Sequence, residues 1–502
     1  MGETNWQTIF AVEETIGQSG RVCWNIDVPE ATQRLRLQYH LQAPDIDPAI
    51  QDAFVRSYCY QAGLQPAQQS YLDPGLREKL FSVSAILGFE LFDAQQQWRG
   101  RCDVMQTGWR ELSRSHASPG LFPGAIWPGG WRIEFDATIT DYCSWIGITF
   151  EVQATGEPPS NVHNLIQWRF DKQETAEQPQ ARWRVGEWFE TTNRSNGPDA
   201  PEDLLQRYHQ MGYEFVHLAD RNVPPIHELT SVPPIQALRG MALQESYAEL
   251  LFIGLNEPFS PDEMKSSRSN LETLAYLIHR QGALLAVRRP FGLSDEGRWP
   301  SWQGQEEDWR HVDFIEVWHG LWEESMPEII RNLQLWDRLL NRGLRIFALG
   351  SKGAHAGLTA EQIERLPKSL VFADSNSESA LLTALVNGRS YITVEPVVNF
   401  WVESMHGNGM IGDELRLAVD LPFSIHLQAS QMDPPGYMII RCNKGIYCQM
   451  PLPSKQDANL RFMEVARAGI QWYRVEIYQF GRPIDQLAVV TNPIFVRGMS
   501  SW

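Results

Sequence analysis

The chain has 502 residues, of which 43% are hydrophobic and 21% are charged, and its formal net charge is −18. A chain of this length is expected to form roughly two or three domains, because a single hydrophobic core does not grow that large. The negative charge argues against nucleic acid or an anionic membrane surface as a partner, since phosphate groups bind to a positive field.

The predicted cellular setting depends on patterns that the sequence lacks. A secretory signal consists of a basic region followed by an apolar core. The first 20 residues show no such pattern. No run of about 18 apolar residues is present, so no transmembrane helix is predicted. The six cysteines are scattered without a C-x-x-C pair, which favours reduced thiols over a disulfide framework or a zinc site. These features predict a cytoplasmic protein.

Short alternating runs predict an all-β domain, of the β-sandwich or jelly-roll type, over residues 1–155. Turn signals such as Pro128-Gly129-Gly130 separate the runs, which are Arg21–Ile26, Arg34–His40, Leu87–Phe92, Trp131–Phe135 and Trp145–Val152. The polar, proline-containing stretch at residues 156–182 predicts a linker.

Strands and helices alternate over residues 183–396. The predicted strands are Phe215–Leu218, Leu250–Ile253, Ala283–Val287, Phe314–Val317 and Leu344–Ala348. The predicted helices are Pro201–Met211, Ser269–Gln281, Met326–Arg342 and Ser377–Asn387. Repeated β-α units predict a parallel sheet or a (β/α) barrel, with functional side chains at the C-terminal strand ends. His217, on the first of these strands, is predicted to be a core histidine.

Short strands return over residues 397–502 and predict a C-terminal β domain. They are Phe400–Val402, Phe423–Ala429, Tyr437–Arg441, Trp472–Tyr478 and Leu487–Val490. The predicted fold class is therefore multidomain, with α/β and all-β parts.

Residues 186–222 are the most informative segment for function, with the sequence GEWFETTNRSNGPDAPEDLLQRYHQMGYEFVHLADRN. They keep the frame of a motif, G-D-L-H-x-H-T-x-x-S-D-G, that precedes a helix and a strand ending in T-D-H-N. Three further segments carry matching patterns: ASPGLFPGAIWPGGWRIEF (117–135), LWDRLLNRGLRIFALGSKGAH (335–355), and WYRVEIY (472–478) with TNPIFV (491–496). On these motifs the chain resembles the PHP (polymerase and histidinol phosphatase) superfamily, and more closely its CehA/McbA branch, which is related to carbaryl hydrolase.

The resemblance implies a PHP-like distorted (β/α) barrel, flanked by an N-terminal β-sandwich and a C-terminal β domain. It also implies a site in which histidine, aspartate and glutamate side chains hold divalent metals such as Zn or Mn. Such metals activate water and stabilise the developing negative charge during hydrolysis. The reactions implied by the resemblance are the hydrolysis of phosphate esters, or of small esters and carbamates.

The chain departs from this ligand set at most positions. According to the resemblance, the replaced ligand positions are Phe189, Thr191, Asn196, Arg221, Ala242, Arg289 and Lys352. Asp220 is retained, while Glu249 and His355 fall near ligand positions. If any metal is bound, Asp220 and His355 are the candidates to bind it.

We therefore predict a pseudoenzyme of the metallohydrolase family, without an assigned catalytic residue or cofactor, that serves as a binding or scaffolding protein. Its partner is predicted to be a small anion, another protein or a second copy of the chain. Arg221, Arg289 and Lys352 are either internal partners of Asp220 and Glu249 or a pocket for an anion such as phosphate. The alternative is an active metal-dependent phosphoesterase or ester/carbamate hydrolase with a reduced or rearranged metal site.

Overall fold

The computed structural model describes residues 5–17, 20–42, 86–102, 109–114, 124–137, 146–157, 180–195, 197–221, 235–244, 248–256, 270–291, 306–353, 359–481 and 484–499. It also describes short pieces at 48–49, 52–53, 56, 60, 117–118, 121, 259, 302 and 304. Asn196, His355 and most of the predicted linker lie outside the described residues. Among the described residues, no helix has both the length and the apolar character needed to cross a bilayer.

Eight strands form the N-terminal part: β1 (Gln7–Ile16), β2 (Gly20–Val28), β3 (Arg34–Gln42), β4 (Ile86–Phe92), β5 (Trp98–Cys102), β6 (Arg110–Ser113), β7 (Gly129–Ala137) and β8 (Ile146–Thr155). They pair in two antiparallel sheets of four strands, in the orders β1-β8-β3-β6 and β2-β7-β4-β5. All five strands predicted here are present, whereas β1, β5 and β6 were not predicted.

The two N-terminal sheets share one hydrophobic core. Leu35 and Leu37 on β3 and Ile133 and Phe135 on β7 are all buried in it. These residues are two apart along their strands, as expected when one face of each strand points inward. The alternating sequence pattern therefore follows from burial of one face of each sheet.

The middle part alternates strands with helices. Its elements are β9 (Arg182–Glu190), α1 (Pro201–Gln210), β10 (Phe215–Leu218), β11 (Gln236–Gln244), β12 (Glu249–Ile253), α2 (Leu271–Arg280), β13 (Leu284–Arg288), a 3-10 helix (Glu306–His311), β14 (Phe314–His319), α3 (Trp322–Asn341), β15 (Phe347–Ser351), α4 (Ala360–Glu364), β16 (Lys368–Ala373), α5 (Glu378–Val386) and β17 (Ser390–Thr393). The predicted mixed α/β character is confirmed.

Strands β9 to β15 pair with one another in chain order. The pairs β9–β10, β10–β11, β13–β14 and β14–β15 are parallel, while β12 is antiparallel to both of its neighbours. The backbone N–H of Lys352, just after β15, donates to Glu187 on β9 at 2.8 Å. The last of these strands therefore returns to the first, while complete closure into a barrel stays a prediction.

The starts of two elements in the middle part differ from the prediction by three residues or more. Helix α3 begins at Trp322 rather than Met326, and the acidic Glu323 and Glu324 form its first turn, where the helix dipole favours negative charge. Strand β15 begins at Phe347 rather than Leu344. The N–H of Leu344 instead bonds to the Leu339 carbonyl at 3.2 Å, so these residues complete the end of α3.

The C-terminal strands are β18 (Val397–Ser404), β19 (Gly407–Met410), β20 (Glu414–Ala418), β21 (Pro422–Ser430), β22 (Gly436–Cys442), β23 (Gly445–Leu452), β24 (Ala458–Val465), β25 (Gly469–Gln479), β26 (Gln486–Thr491) and β27 (Ile494–Met499). Four of them form a separate sheet in the order β19-β18-β21-β24. Others extend the large sheet in the order β9-β16-β17-β26-β25-β22-β23. The large sheet thus contains strands from both sides of the predicted border between residues 396 and 397. The predicted domain borders stay predictions.

A buried ion-pair cluster joins α3 to β25. Arg474 on β25 is fully buried, and its guanidinium nitrogens lie 2.7 Å from Asp337 on α3 and 2.7 Å from Glu476 on β25. Arg441 on β22 lies 3.1 Å from the same Glu476. Burial raises the pKa of Asp337, although the charge of Arg474 lowers it. Because an unpaired buried charge is costly, this cluster holds the helix against the C-terminal strands.

Candidate functional site

Most of the predicted site residues lie at one edge of the large sheet, which we call the strand-end edge. It consists of the C-terminal ends of β9, β10, β13, β14 and β15 and the N-terminal end of the antiparallel β12. Glu249, the first residue of β12, pairs in register with Arg288, the last residue of β13. Arg221, just after β10, forms a β-bridge with Ala242 on β11. Parallel strands bring such positions together because their ends coincide.

Arg288 is the central residue of this edge. It is 1% exposed, and its Nη1 donates to Glu249 Oε1 at 2.6 Å. Its Nε lies 3.3 Å from Glu316 Oε2, and its Nη2 lies 3.3 Å from His319 Nδ1. The sequence pattern places Arg288 and Arg289 together after this strand, but only Arg289 was assigned a role from the sequence. Its position as the last residue of a buried strand was the sequence signal that could have identified Arg288 as a site residue.

Arg221 binds the same carboxylate as Arg288. Its Nη2 lies 3.3 Å from Glu249 Oε1, so Glu249 is held by two guanidinium groups. The Phe189 ring lies beside both arginines, with its centroid 3.5 Å from Arg288 Cζ and 5.4 Å from Arg221 Cζ. Cations over an aromatic face are attracted by about 0.5–2 kcal/mol. Phe189 therefore supplies an aromatic contact for two arginines.

Arg289 has a different partner. Its Nε and Nη2 each donate to one oxygen of Glu328 on α3 at 2.8 Å, and both residues are buried. The sequence hypothesis paired the basic residues with Asp220 and Glu249, but the structure pairs Arg289 with Glu328. Nothing in the local sequence around Glu328 signals this contact. Arg221, Arg289 and Lys352 therefore have separate sets of partners.

The backbone is strained at Phe189 and Arg289, two positions that the resemblance places among the replaced metal ligands. Phe189 has φ of 61° and Arg289 has φ of 42°, which is the left-handed region that bulky residues seldom adopt. Such conformations cost about 1–3 kcal/mol each, persist where the surroundings determine them, and cluster at functional sites. At Phe189, the pairing of β9 with β10 also shifts register. The strain supports a functional origin for the strand-end edge.

Asp220, the retained acidic residue, holds the loop that follows β9. Its carboxylate accepts hydrogen bonds from the Thr192 N–H at 2.6 Å, the Thr192 hydroxyl at 2.8 Å and the Ser195 hydroxyl at 2.8 Å. Arg194 Nη1 lies 3.9 Å from it. Both oxygens of Asp220 therefore have protein donors. Thr191, the neighbour of Thr192, is half-buried.

Lys352 lies in a second cluster, the lysine cage, which consists of Lys352, Glu187, Glu190, Tyr208 and Tyr213. The lysine is 2% exposed, and its Nζ lies 4.0 Å from the ring centroid of Tyr213 and 4.8 Å from that of Tyr208. The Tyr208 hydroxyl donates to Glu190 at 2.5 Å. Sequence reasoning missed the four residues around Lys352. Glu187 could have been found, because it occupies the aspartate position of the G-D-L-H frame.

Burial changes the proton affinity of the two groups that face each other in the lysine cage. Desolvation lowers the pKa of Lys352, although the charges of Glu187 and Glu190 raise it. Desolvation raises the pKa of Glu187 well above its ordinary value, although Lys352 lowers it. Both shifts favour the uncharged forms, a neutral amine beside a protonated carboxyl group.

Ser351, His319 and Glu316 also meet at the strand-end edge. The Ser351 hydroxyl donates to Glu316 and lies 3.0 Å from His319 Nδ1. A nucleophilic serine requires the histidine to bind serine with one ring nitrogen and the carboxylate with the other. Here the Glu316 carboxylate, 3.3 Å away, faces the same Nδ1. Ser351, His319 and Glu316 are therefore part of the polar surroundings of Arg288 and do not form a catalytic triad.

The described side chains do not fit the metal centre that the resemblance implies. Arginine and lysine side chains carry donor hydrogens and no lone pair for a cation in their charged forms, and phenylalanine and alanine have no donor atom. Asp220 and Glu249 are already bound by protein donors. Within the described ranges, no three His, Cys, Asp or Glu side chains are grouped as a metal site. The described side chains thus differ from a set of metal ligands in their chemical type.

No protein-family model matches the chain, and no curated protein matches it. Among solved structures, the chain is similar to a two-domain protein from Bacteroides vulgatus, described as containing a predicted PHP-like metal-dependent phosphoesterase, at 13% identity and a TM-score of 0.36. That similarity covers 65% of this chain and 99% of the other.

A second similar structure is a candidate metal-dependent phosphoesterase from Bifidobacterium adolescentis, at 11% identity and a TM-score of 0.26. It covers 41% of this chain and 98% of the other. At these TM-scores the two similarities carry no argument about mechanism. The function must therefore be argued from the chain's own side chains.

Proposed function

We propose that this protein is a PHP-like protein that lacks metal-dependent hydrolysis and acts as a binding or scaffolding protein. The observation that supports this is the ion pairing at the strand-end edge, where Arg221 and Arg288 bind Glu249. In a metallohydrolase, metal cations both neutralise the carboxylates and activate water. Guanidinium groups supply the positive charge but stay protonated in proteins, so they do not generate a hydroxide nucleophile.

Electrostatics opposes the binding of a divalent ion at this edge. The ion would have to displace the guanidinium groups from Glu249 while remaining near them. Two unit charges 4 Å apart interact by about 4 kcal/mol at an effective dielectric constant of about 20, and the repulsion of a divalent ion is larger. Two arginines near one site thus raise the free energy of metal binding by several kcal/mol.

The same ion pairs bear on the anion-pocket hypothesis. A phosphate bound by Arg221 or Arg289 would have to compete with Glu249 and Glu328, which already hold these side chains. The competing carboxylates are part of the fold and lose no translational freedom on binding. We therefore propose that these arginines are internal partners of carboxylates.

Metal analysis tests the proposed function. The purified protein is incubated with Zn²⁺ or Mn²⁺, desalted and analysed for bound metal and for hydrolysis of an aryl phosphate. We expect less than about one equivalent of metal and turnover at the background rate. About two equivalents of metal with chelator-sensitive turnover would support the alternative, an active phosphoesterase or ester/carbamate hydrolase with a rearranged site.

A variant with the family ligands restored serves as the matched control. It carries five substitutions together: Phe189→His, Thr191→His, Arg221→His, Arg289→His and Lys352→Asp. Because metal ligands act as a cooperative set, we expect this variant to bind more metal than the wild-type protein. Arg289→His alone should not. Metal-dependent turnover in that single variant would contradict the proposal.

A further inference from the structure

We propose that Lys352 is a covalent binding site for a small uncharged aldehyde or ketone, which its Nζ holds as an imine. The proposal deepens the proposed function and rests on it, because it names the ligand class of a site that works without a metal. It is carried by the geometry of the lysine cage at the strand-end edge.

The first observation is the surroundings of the Lys352 amine. The residue follows β15, and its side chain is buried against the ring faces of Tyr208 and Tyr213. The described contacts of Nζ are with these two rings, and desolvation in these surroundings lowers the pKa of the amine. Holding the amine against aromatic faces rather than in water favours its neutral, nucleophilic form.

The second observation is an acid on the facing strand. Glu187 is fully buried, and its Oε1 accepts the Lys352 backbone N–H at 2.8 Å. Its Oε2 has no hydrogen-bond partner among the described residues. Burial raises the pKa of Glu187 well above its ordinary value, which favours the protonated carboxyl group. Glu187 is therefore suited to give a proton to a carbonyl oxygen beside Lys352.

The third observation is the residue type. The chain contains 36 arginines and only seven lysines, yet the basic residue in this cage is a lysine. Arginine does not lose its proton in proteins, whereas a desolvated lysine does and then reacts as a nucleophile. Other charged groups near the amine are Arg207 and Lys368, whose charges also lower the pKa of Lys352.

The proposed step balances as follows. The neutral Nζ attacks the carbonyl carbon, a C–N bond forms, and the carbonyl oxygen takes the proton of Glu187 to give a carbinolamine. The nitrogen then passes one proton to the hydroxyl group, which leaves as water, and a protonated C=N bond remains beside the Glu187 carboxylate. One carbonyl compound and one lysine thus give one imine and one water. The ligand is uncharged, because an anion would face Glu190 and the carboxylate that Glu187 becomes when it gives up its proton.

Reductive trapping tests the proposal on the wild-type protein. The protein is incubated at neutral pH with propanal or with pyruvate, in the presence of cyanoborohydride, and the modified lysines are located by peptide mass spectrometry. Each adduct adds the mass of the probe less one oxygen atom. We expect more propanal adduct on Lys352 than on the exposed Lys444 and Lys455, and less adduct with pyruvate. An even distribution over the lysines would overturn the proposal, and a preference for pyruvate would overturn the uncharged ligand class.

Two variants separate the chemistry from the fold. Lys352→Arg keeps a long basic side chain in the cage but should lose the adduct at this position. Glu187→Gln removes the acid and should lower the yield on Lys352 while leaving the adducts on Lys444 and Lys455 unchanged. Unaltered trapping in Glu187→Gln would contradict its role as proton donor. Metal content is measured separately, so trapping can fail while the proposed function stands.

Discussion

Replacing Arg289 tests whether the basic residues at the strand ends are internal partners of carboxylates. The Arg289→Met variant keeps the hydrocarbon part of the side chain and removes the guanidinium. Glu328 then stays buried without its bidentate partner, whose two nitrogens lie 2.8 Å from its oxygens. In the wild-type protein Arg289 is 5% exposed and Glu328 is 4% exposed, so little solvent is available to replace the lost contact.

The expected cost can be worked from this geometry. Breaking a buried ion pair from one side costs about 3–5 kcal/mol. Arginine and methionine both have a Cβ and are both strained at the φ of 42° found here, so we expect backbone strain to contribute little to the difference. We therefore expect the free energy of unfolding to fall by about 3 kcal/mol or more. The double variant Arg289→Met with Glu328→Met should recover most of this loss, because a well-packed apolar pair replaces a buried ion pair at little cost.

The measurement is urea denaturation, which gives the free energy of unfolding from the midpoint and the slope. The matched control is Arg310→Met, since Arg310 and Glu307 form an exposed ion pair at 2.7 Å that is worth less than about 1 kcal/mol. Equal losses in Arg289→Met and Arg310→Met would refute the internal pairing. Phosphate that raises the melting temperature of the wild-type protein but not of Arg289→Met would support the anion pocket instead.

Two further predictions concern the rest of the fold. Arg474→Met should lower the free energy of unfolding by about 3 kcal/mol or more, because it removes one partner of the buried Glu476 and the partner of the half-buried Asp337. Arg416→Met, at a position that is 72% exposed, should change it by less than about 1 kcal/mol. Equal effects in urea denaturation would show that the Arg474 cluster is not stabilising. Burial lowers the pKa of His217 from 6.5 to about 4, so the unfolded chain takes up this proton at a higher pH than the folded protein does. The neutral, buried His217 therefore contributes fully to the free energy of unfolding above pH 6.5. This free energy falls by about 3 kcal/mol as the pH falls to about 4. His217→Gln should lack this part of the pH dependence, and identical pH profiles for the two proteins would contradict the assignment.

Elements with local causes could be predicted from the sequence. Helix α1 was predicted over Pro201–Met211 and is observed over Pro201–Gln210, with proline at its start and acidic residues in its first turn. Strand β10 matches its prediction at both ends. By contrast, β11 was not predicted, because Gly240 interrupts its apolar pattern. A Cβ at Gly240 would lie 2.0 Å from His217 Nε2, so the reason for this glycine is a close approach to another strand.

At the candidate site, the residue types at the strand ends, and their departure from the metal-ligand set that the resemblance implies, can be read from the sequence. The groups that these residues contact depend on tertiary packing. The partner of Arg289 lies 39 residues away on α3, and Glu187 lies 165 residues before Lys352. Contacts over such separations depend on how α3 packs and on the return of β15 to β9. No local pattern of residues encodes those distances, because they arise from the packing of whole elements.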